Sequence, residues 1–442
     1  MKPRVFAVLS TLLFLVLTFG AGEELTLSRA VELALANHPD IKRAELQVSL
    51  AELQFGAAQT KSILPTLSLS LLPSSGTLPQ ANLAASVSFP VGTSNKLTGR
   101  VSLLSWYSSW NVSFSLGLDL TNPMAASESL TKLAQAVDSA RASLEKTKAT
   151  VIVNVIKGYL DVLSLEAQVK QAESTKNKAE QNFKTMEEKF AAGLAGELDL
   201  LGARLSLIQA ELAYQQACND YQAQKVRFLR DYLGLEGDVT LAPVSLDKEK
   251  IVAAAKNLLT SLNIEEVVEA ASEVKAAKDE VEEAKKTLDR TRLSWLPTIS
   301  LEIGAGPDGL TFGWSIQFDL FSPDYAARVR MSEVQLALAE LNLETARSTV
   351  RQRLSDQSVA LLSALQAVEQ LPLEEEQWAL KERINRSKYE AGLLSESDWF
   401  DFQRQKEAFM LEAQQRLAKL LLAYLNLQAL LGLPVEWEGW WK

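Results

Sequence analysis

The sequence predicts a mainly α-helical protein that also carries a membrane β-barrel and consists of two similar halves. The first observation is helical spacing of apolar residues over stretches of about 70 residues, far longer than ordinary globular helices. The second is a regular alternation of apolar with small or polar residues in two blocks, the first of which carries almost no charge, and such alternation is typical of strands. The third is a set of short motifs that each occur twice in the same order, which indicates a duplication.

The N-terminal residues 1–22 read as a cleaved export signal. Lys2 and Arg4 precede an apolar run from Val5 to Phe19, and small residues follow it. The alternative is a membrane anchor, but a run of about 15 residues is shorter than the roughly 20 that span a bilayer. Since no later apolar run has helix length, we expect any membrane segment to be made of strands.

Three motifs recur along the chain. LPTLSL at Leu64 returns as LPTISL at Leu296, KFAAGLAGELDLL at Lys189 returns as KYEAGLLSESDWF at Lys388, and YLGLEG and LLGLP close the two halves. Because all three recur in the same order at similar separations, we predict an internal duplication. The predicted segments are a first repeat at 23–235, a linker or equatorial region at 236–262, a second repeat at 263–434 and a C-terminal tail at 435–442.

Both repeats have the same order of elements. A helix ends at the proline of the LPT motif, because proline cannot continue the helical hydrogen bonds. A strand block, a long helix and a returning helix follow, and Gly193 or Gly392 separates the two helices. Pro372 predicts a kink or a short break in the second long helix. The predicted bounds are strand blocks at 64–123 and 298–320, long helices at 124–192 and 324–391, and return helices at 198–235 and 396–432.

The long helices need partners. In the first, Leu130, Leu133, Val137, Ala140 and Leu144 step by three and four residues. This is coiled-coil spacing, and its apolar seam has to be covered by another helix. We therefore predict long antiparallel coiled-coil helices, each about 100 Å long at about 1.5 Å per residue.

The strand blocks favour a membrane barrel. Between Leu64 and Pro123 only Lys96, Arg100 and Asp119 carry charge. A water-soluble sandwich also alternates, but its outer face would be charged. One chain has too few strands to close a barrel, and an open sheet edge is not stable in lipid, so we expect several copies to share one barrel.

Composition argues against several functions. The net charge of −10 disfavours nucleic-acid binding. With one cysteine, Cys218, and one histidine, His38, the chain can form neither an internal disulfide nor a His/Cys metal cluster, and we expect no cofactor and no enzymatic activity. GAGPDG at Gly304 fits a dinucleotide fingerprint, but predicted strands on both sides indicate a hairpin turn instead.

Asp398 and Asp401 lie three residues apart at the start of the last helix, and therefore on one face of it. From these residues alone, the preferred interpretation is an exposed helix N-terminus, where the helix dipole favours carboxylates.

Together these features resemble the TolC-like outer membrane efflux proteins. The resemblance rests on LTLSRAVELALANHPDIKRAE near the N-terminus, the two LPT motifs, the paired AGL turns with their following aspartates, and LLGLP, and it covers nearly the whole chain after the signal. It implies a homotrimer in the cell outer membrane, with one shared barrel and a helical tunnel across the periplasm. It also implies passive export of small molecules or proteins, with a periplasmic adaptor and an inner-membrane pump as partners.

The resemblance also assigns site residues. Asp398 and Asp401 match an aspartate pair that narrows the tunnel entrance and attracts cations, so three copies would place six carboxylates around one axis. Tyr389 matches a tyrosine that bonds an aspartate of the other repeat, here Asp199, and helps to hold the entrance shut. The arginine that assists this latch in the family is replaced by Leu394. The turn residues that match the adaptor-contact tips are Gly193, Leu194, Gly392 and Leu393.

The sequence allows alternatives on two points, the place of an additional hairpin and the function. Family members have two barrel strands in each half, whereas residues 82–105 suggest an additional hairpin, which we expect to extend outside the membrane rather than to enlarge the barrel. The main alternative function is a structural tether that spaces the cell envelope and uses its strands only as an anchor.

Overall fold

The structure is a computed structural model. It describes residues 24–63, 66–74, 80–91, 95–106, 109–119, 123–235, 237, 239–293, 298–306, 309–317, 324–435, 437 and 439–441. The predicted export signal and the prolines of both LPT motifs lie outside these residues. Among the helices within these ranges, none has an apolar stretch long enough to cross a membrane.

The described residues are mostly helical, as the sequence predicts. The helices are α1 Leu27–Asn37, α2 Pro39–Ile63, α3 Pro123–Ala191, α4 Glu197–Phe228, α5 Lys248–Ser261, α6 Ile264–Ala270, α7 Ser272–Leu293, α8 Tyr325–Glu369, α9 Leu371–Glu390 and α10 Glu396–Leu430. A π-helical turn, Leu229–Leu233, follows α4 directly. The predicted linker or equatorial region at 236–262 contains all of α5.

Local signals set several helix ends. Thr26, Asp247 and Ser395 precede α1, α5 and α10, and the side chain of each accepts a hydrogen bond from a backbone N–H of the first turn. The second long helix is interrupted at Gln370, so α8 and α9 take the place of one helix. Pro372 occupies the first turn of α9, where its missing N–H group is tolerated, and this interruption is the break that Pro372 predicts.

Six strands form one antiparallel sheet in which each strand pairs with the next along the chain. They are β1 Thr66–Ser74, β2 Gln80–Val91, β3 Asn95–Trp106, β4 Ser109–Asp119, β5 Thr298–Gly306 and β6 Gly309–Gln317. The GAGPDG segment connects β5 to β6, with Gly306 paired to Gly309. A strand thus lies on each side of it, which is the context of a hairpin turn and not of a dinucleotide site.

The additional hairpin lies within the sheet. Residues 82–105 fall in β2 and β3, and β2 pairs with β1 from Thr66–Ser88 to Ser74–Gln80. On the other side, β3 pairs with β4 along its length. This differs from our expectation that the hairpin extends outside the membrane, because both of its strands continue the hydrogen-bond ladder between β1 and β4.

The described chain divides into two compact units, and the first has a conventional apolar core. This unit comprises the residues up to Pro39, Lys148–Leu262 and Asp356–Lys442. Tyr159 is fully buried, and its hydroxyl group lies 2.7 Å from the carbonyl oxygens of both Leu25 and Ala242. The ring of Phe228 meets the ring of Tyr159 edge-on at 6.1 Å. Burial and these hydrogen bonds fasten the N-terminal segment to α3.

The second unit, Asp40–Thr147 and Asn263–Ser355, joins its helices through ion pairs. Glu273 of α7 accepts hydrogen bonds from Lys146 of α3 at 3.1 Å and from Arg353 of α8 at 3.0 Å. Arg351 donates to both carboxylate oxygens of Glu265 at 2.9 Å. Further pairs in this unit are Arg141–Glu52, Arg347–Glu269, Lys278–Glu269, Arg292–Glu333 and Lys132–Glu283.

Several helices carry a stripe of apolar side chains that is exposed to solvent. On α4 the stripe steps by three and four residues, and its side chains are between 45% and 84% exposed. A similar stripe runs along α8 and a shorter one along α2. The residues are Leu198, Leu201, Leu205, Ile208 and Leu212 on α4, Met331, Val334, Leu338 and Leu341 on α8, and Leu46, Leu50 and Leu53 on α2. These stripes have the spacing of coiled-coil seams, and no helix within the described part of the chain covers them.

Candidate functional site

Two turns in the first unit have the same backbone geometry. Gly193 ends the α3 segment with φ 70°, and Gly392 ends the α9 segment with φ 71°, a left-handed conformation that glycine adopts without strain. The N–H of the next residue, Leu194 or Leu393, donates to a carbonyl oxygen five residues earlier at 2.8 Å in both turns. This is the Schellman arrangement of helix ends. Both leucine side chains are 79% exposed, so each turn presents an uncovered apolar tip.

Asp398 lies in the first turn of α10 and is tied to the cap of that helix. Its backbone N–H donates to the hydroxyl oxygen of Ser395 at 3.1 Å, and that hydroxyl donates back to the Asp398 carboxylate at 2.6 Å. The carboxylate is otherwise exposed to solvent. Ser395, the N-cap residue of α10, therefore fixes the position of this carboxylate through two hydrogen bonds.

Asp401 lies one turn further along α10 and has basic neighbours. Its carboxylate is 54% exposed and lies 3.6 Å from Arg404. Lys178 of α3 donates to the carbonyl oxygen of Phe400 at 2.9 Å and lies over the Phe400 ring at 4.8 Å. Partial burial lowers the pKa of Lys178, and the nearby Asp401 carboxylate opposes this decrease. The site thus contains cationic groups next to one of its two aspartates.

The two predicted latch residues have other partners within the chain. The Asp199 carboxylate accepts the backbone N–H of Gly196 at 3.1 Å, at the start of α4. The Tyr389 ring stacks on Trp399, with 5.5 Å between ring centroids. In the described part of the chain these two side chains form no hydrogen bond with each other. Leu394, which replaces the family arginine, is half-buried. The latch stays a prediction.

An aromatic series supports the α9–α10 hairpin, and sequence reasoning missed it. Starting from the Tyr389–Trp399 stack, Trp399 stacks on Phe402 at 5.8 Å, and Trp378 contacts both Phe402 at 5.8 Å and Phe409 at 5.5 Å. The signal was present, because the α10 members are spaced by three and seven residues and therefore share one helix face. The series connects the predicted latch tyrosine to the helix that carries both aspartates.

The geometry limits how a cation could bind. Among the described residues of one chain, no three acidic, histidine or cysteine side chains come together around a common point. A cation at Asp398 and Asp401 would therefore need carboxylates from more than one copy of the chain. Two exposed carboxylates on one helix face allow such an arrangement.

Comparison with known proteins gives both sequence and structural relatives. Residues 30–235 match the sequence family described as outer membrane efflux protein. Nodulation protein T of Rhizobium leguminosarum bv. trifolii is 27% identical over 187 residues. That match covers 42% of this chain and 36% of the relative, so it spans little more than a third of the length of that protein.

The fold of the whole described chain is similar to several solved structures. A crystal structure of CusC has a TM-score of 0.62 at 16% identity, with 92% of each chain covered. The CmeC outer membrane channel of Campylobacter jejuni has a TM-score of 0.61 at 15% identity, covering 93% of this chain and 87% of that one. The outer membrane protein VceC of Vibrio cholerae has a TM-score of 0.57 at 14% identity, covering 92% and 94%. At these identities the likeness establishes the fold.

Proposed function

Since this chain is a relative of the outer membrane efflux proteins, as the sequence predicts and the comparisons confirm, we propose that three copies of it form a passive export channel. The same relationship confirms the predicted location in the cell outer membrane, with the helical part in the periplasm.

The observation that carries the proposal is the set of uncovered apolar seams. The stripes on α2, α4 and α8 have coiled-coil spacing, and among the described residues of one chain no helix covers them. Long exposed apolar faces are unfavourable in water, and a second copy of the chain offers helices of matching length and spacing. Neighbouring copies that cover these seams would enclose a tunnel, with the two repeats of each chain as similar parts of its wall.

The sheet, at the membrane end of the proposed channel, also requires neighbouring copies of the chain. Among the described strands, β1 and β6 each have a neighbour on one side only. Phe312 and Trp314 of β6 alternate with smaller residues and are 77% and 72% exposed. Backbone groups at an open edge have no hydrogen-bond partner in lipid, so β6 of one copy would pair with β1 of the next until one barrel closes.

The two glycine turns are suitable for docking. Leu194 and Leu393 are exposed apolar tips held in a fixed backbone geometry by Gly193 and Gly392. We expect a periplasmic adaptor to bind these tips and to connect the channel to an inner-membrane pump, which supplies the energy for export. In this proposal the chain itself performs no chemical reaction.

The aspartates would form the entrance constriction. Three copies would bring Asp398 and Asp401 around one axis, where carboxylates attract cations. Lys178 and Arg404 lie beside Asp401 and offset part of its charge. Asp398 is therefore the stronger contributor to cation binding. Tyr389 and Asp199 would close the entrance when the bundle tightens, and Lys178 would fasten α10 to α3 where the family arginine is absent.

Conductance of the purified protein in planar bilayers tests this function. We expect ion-conducting channels that multivalent cations block from the entrance side. The double variant Asp398→Ala/Asp401→Ala should weaken the block by at least about tenfold, because the carboxylates that bind the cation are removed. Lys178→Met is the matched variant of opposite sign, and we expect it to strengthen the block. A trimer that conducts nothing, even with its entrance mutated open, would favour the structural tether.

A further inference from the structure

The hairpin formed by β2 and β3 is the feature that the proposed function does not use. We infer that it forms two full-height strands of the pore wall, so that the shared barrel has eighteen strands, six from each of three copies. Each barrel is incomplete without the neighbouring copies, which supply the partners of β1 and β6. This inference rests on the proposed function and specifies the width of the exit of the channel.

Pairing along the whole hairpin is the first argument. β1 follows α2 and pairs with β2 from Thr66–Ser88 to Ser74–Gln80, which is its entire length. β3 pairs with β4 from Lys96–Asp119, next to the start of α3, to Trp106–Ser109 at the far end. The hairpin therefore covers the same height as its neighbours.

The direction of the hairpin is the second argument. β2 ends at Val91 and β3 begins at Asn95, so only residues 92–94 connect them. This end of the hairpin is level with Thr66 and Asp119, where the sheet meets the helices α2 and α3. A hairpin that projected outside the cell would have its connection at the opposite end. Short connections on the periplasmic side are typical of barrel strands in the outer membrane.

The register across all six strands is the third argument. One row across the sheet consists of Ser68, Ser86, Arg100, Ser115, Gly304 and Thr311. The next row consists of Leu69, Ala85, Val101, Phe114, Ala305 and Leu310. The inserted strands thus continue the polar and apolar rows of their neighbours without a shift. A strand in water would have no need of an apolar face aligned with those of membrane strands.

The charged residues follow the same division. The six strands contain four charged residues, Lys96, Arg100, Asp119 and Glu302, and the register assigns all of them to polar rows. Both basic residues belong to β3, and the backbone register places Lys96 opposite Asp119. The hairpin therefore supplies the positive charges of a lumen that would otherwise be acidic.

The extra strands change the size of the exit. With strands about 4.8 Å apart and tilted by about 40°, twelve strands enclose a backbone cylinder of about 24 Å in diameter and eighteen strands one of about 36 Å. The wider barrel has roughly twice the cross-section. Selection among exported molecules would then take place at the helical entrance, and the exit would admit bulky cargo.

Electron microscopy of the trimer in lipid nanodiscs tests the inference directly. We expect eighteen strands in the full chain. A variant that lacks residues 80–106 serves as the comparison, because Ser74 and Ser109 are level in the register and the seven remaining loop residues can join β1 to β4. Its barrel should narrow to twelve strands, about two-thirds of the original diameter. A full-chain trimer with a twelve-stranded barrel and residues 80–106 outside it would overturn the inference and leave the proposed function intact. A full chain without any membrane barrel would instead overturn the proposed function.

Cysteine labelling provides a second readout that needs no deletion. In a Cys218→Ser background, Val101→Cys should react only with a lipid-soluble maleimide and Ser102→Cys with a water-soluble one. Phe114→Cys and Ser113→Cys in β4 are the matched controls, since Phe114 is the register partner of Val101 and Ser113 that of Ser102. Equal reaction of both β3 positions with the water-soluble reagent, alongside normal alternation in β4, would place the hairpin outside the membrane and contradict the inference.

Discussion

The two compact units of this chain are stabilised by different interactions. Among the described residues, the twelve largest fully buried side chains include only two, Ile41 and Leu354, from the second unit. The first unit contains the other ten. The second unit buries smaller side chains, such as Val274 and Val281, and ion pairs between exposed side chains also join its helices. The first unit can thus gain most of its stability from its own core, whereas the second combines a smaller core with weaker surface pairs, to which neighbouring copies would add in the proposed trimer.

The largest effect is expected from Phe228→Ala in the first unit. Phe228 is fully buried and contacts Tyr159 and Tyr232. Its removal leaves a cavity, and we expect a loss of about 3–5 kcal/mol in the free energy of unfolding. Denaturant unfolding of the detergent-purified protein, followed by circular dichroism, measures this loss. Phe190→Ala is the control, because Phe190 is 42% exposed and should cost less than about 1 kcal/mol. Equal losses would mean that the first unit has no dominant core.

A glycine pair tests how closely that core is packed. A Cβ atom at Gly158 of α3 would lie 2.8 Å from Cδ2 of Phe228, whereas a Cβ atom at Gly202 of α4 would meet nothing within 4 Å. We expect Gly158→Ala to destabilise the protein by about 1–3 kcal/mol through overpacking. Gly202→Ala should stabilise it by about 0.5–1 kcal/mol, since alanine favours the helix. The same unfolding measurement applies. A stabilising Gly158→Ala would contradict the close approach of α3 to Phe228.

In the second unit, Glu273→Gln should have a smaller effect. The substitution weakens the pairs with Lys146 and Arg353, and because Glu273 is 39% exposed we expect a loss of about 0.5–1 kcal/mol. The loss should shrink in 1 M salt, where exposed charges are screened. Glu344→Gln on α8 is the control, since Glu344 is exposed and makes no ion pair within the described part of the chain. A loss in the free energy of unfolding as large as that of Phe228→Ala would contradict the difference in stabilisation between the two units.

Acid should weaken the second unit first. Hydrogen bonds from Lys278 to Glu269 and from Lys146 to Glu273 are the main reasons that the pKa values of these carboxyls lie below the ordinary 4.5. Their contribution to stability is therefore present above about pH 4.5 and is lost as the pH falls through the lowered pKa values. Hydrogen exchange of α7 and α8 between pH 6 and pH 3, compared with α4, measures this effect. Equal weakening of α4 would contradict it.

The features that the sequence could predict are those that depend on neighbouring residues. Helix ends are set by nearby residues, so the sequence places the first long helix at 124–192 and the structure has it at Pro123–Ala191. Pro372 and Gly392 likewise act within one turn of their own positions. The turns that carry Leu194 and Leu393 follow from the same local signal, whereas the role of these residues as tips comes from the family resemblance.

Contacts between distant residues were not predictable in this way. Lys178 and Phe400 are separated by 222 residues, and nothing in either segment indicates that they meet. The ion pairs of Glu273 with α3 and α8 depend equally on packing. The position of β2 and β3 within the sheet needed the register, because their alternation alone fits either a barrel strand or a hairpin outside it.

Native mass spectrometry of the mature protein in detergent tests most directly whether one chain is insufficient to form the channel. The uncovered seams and the two unpaired sheet edges predict a trimer that stays intact until the detergent is stripped away. A stable monomer that needs neither detergent nor lipid to remain in solution would contradict the account.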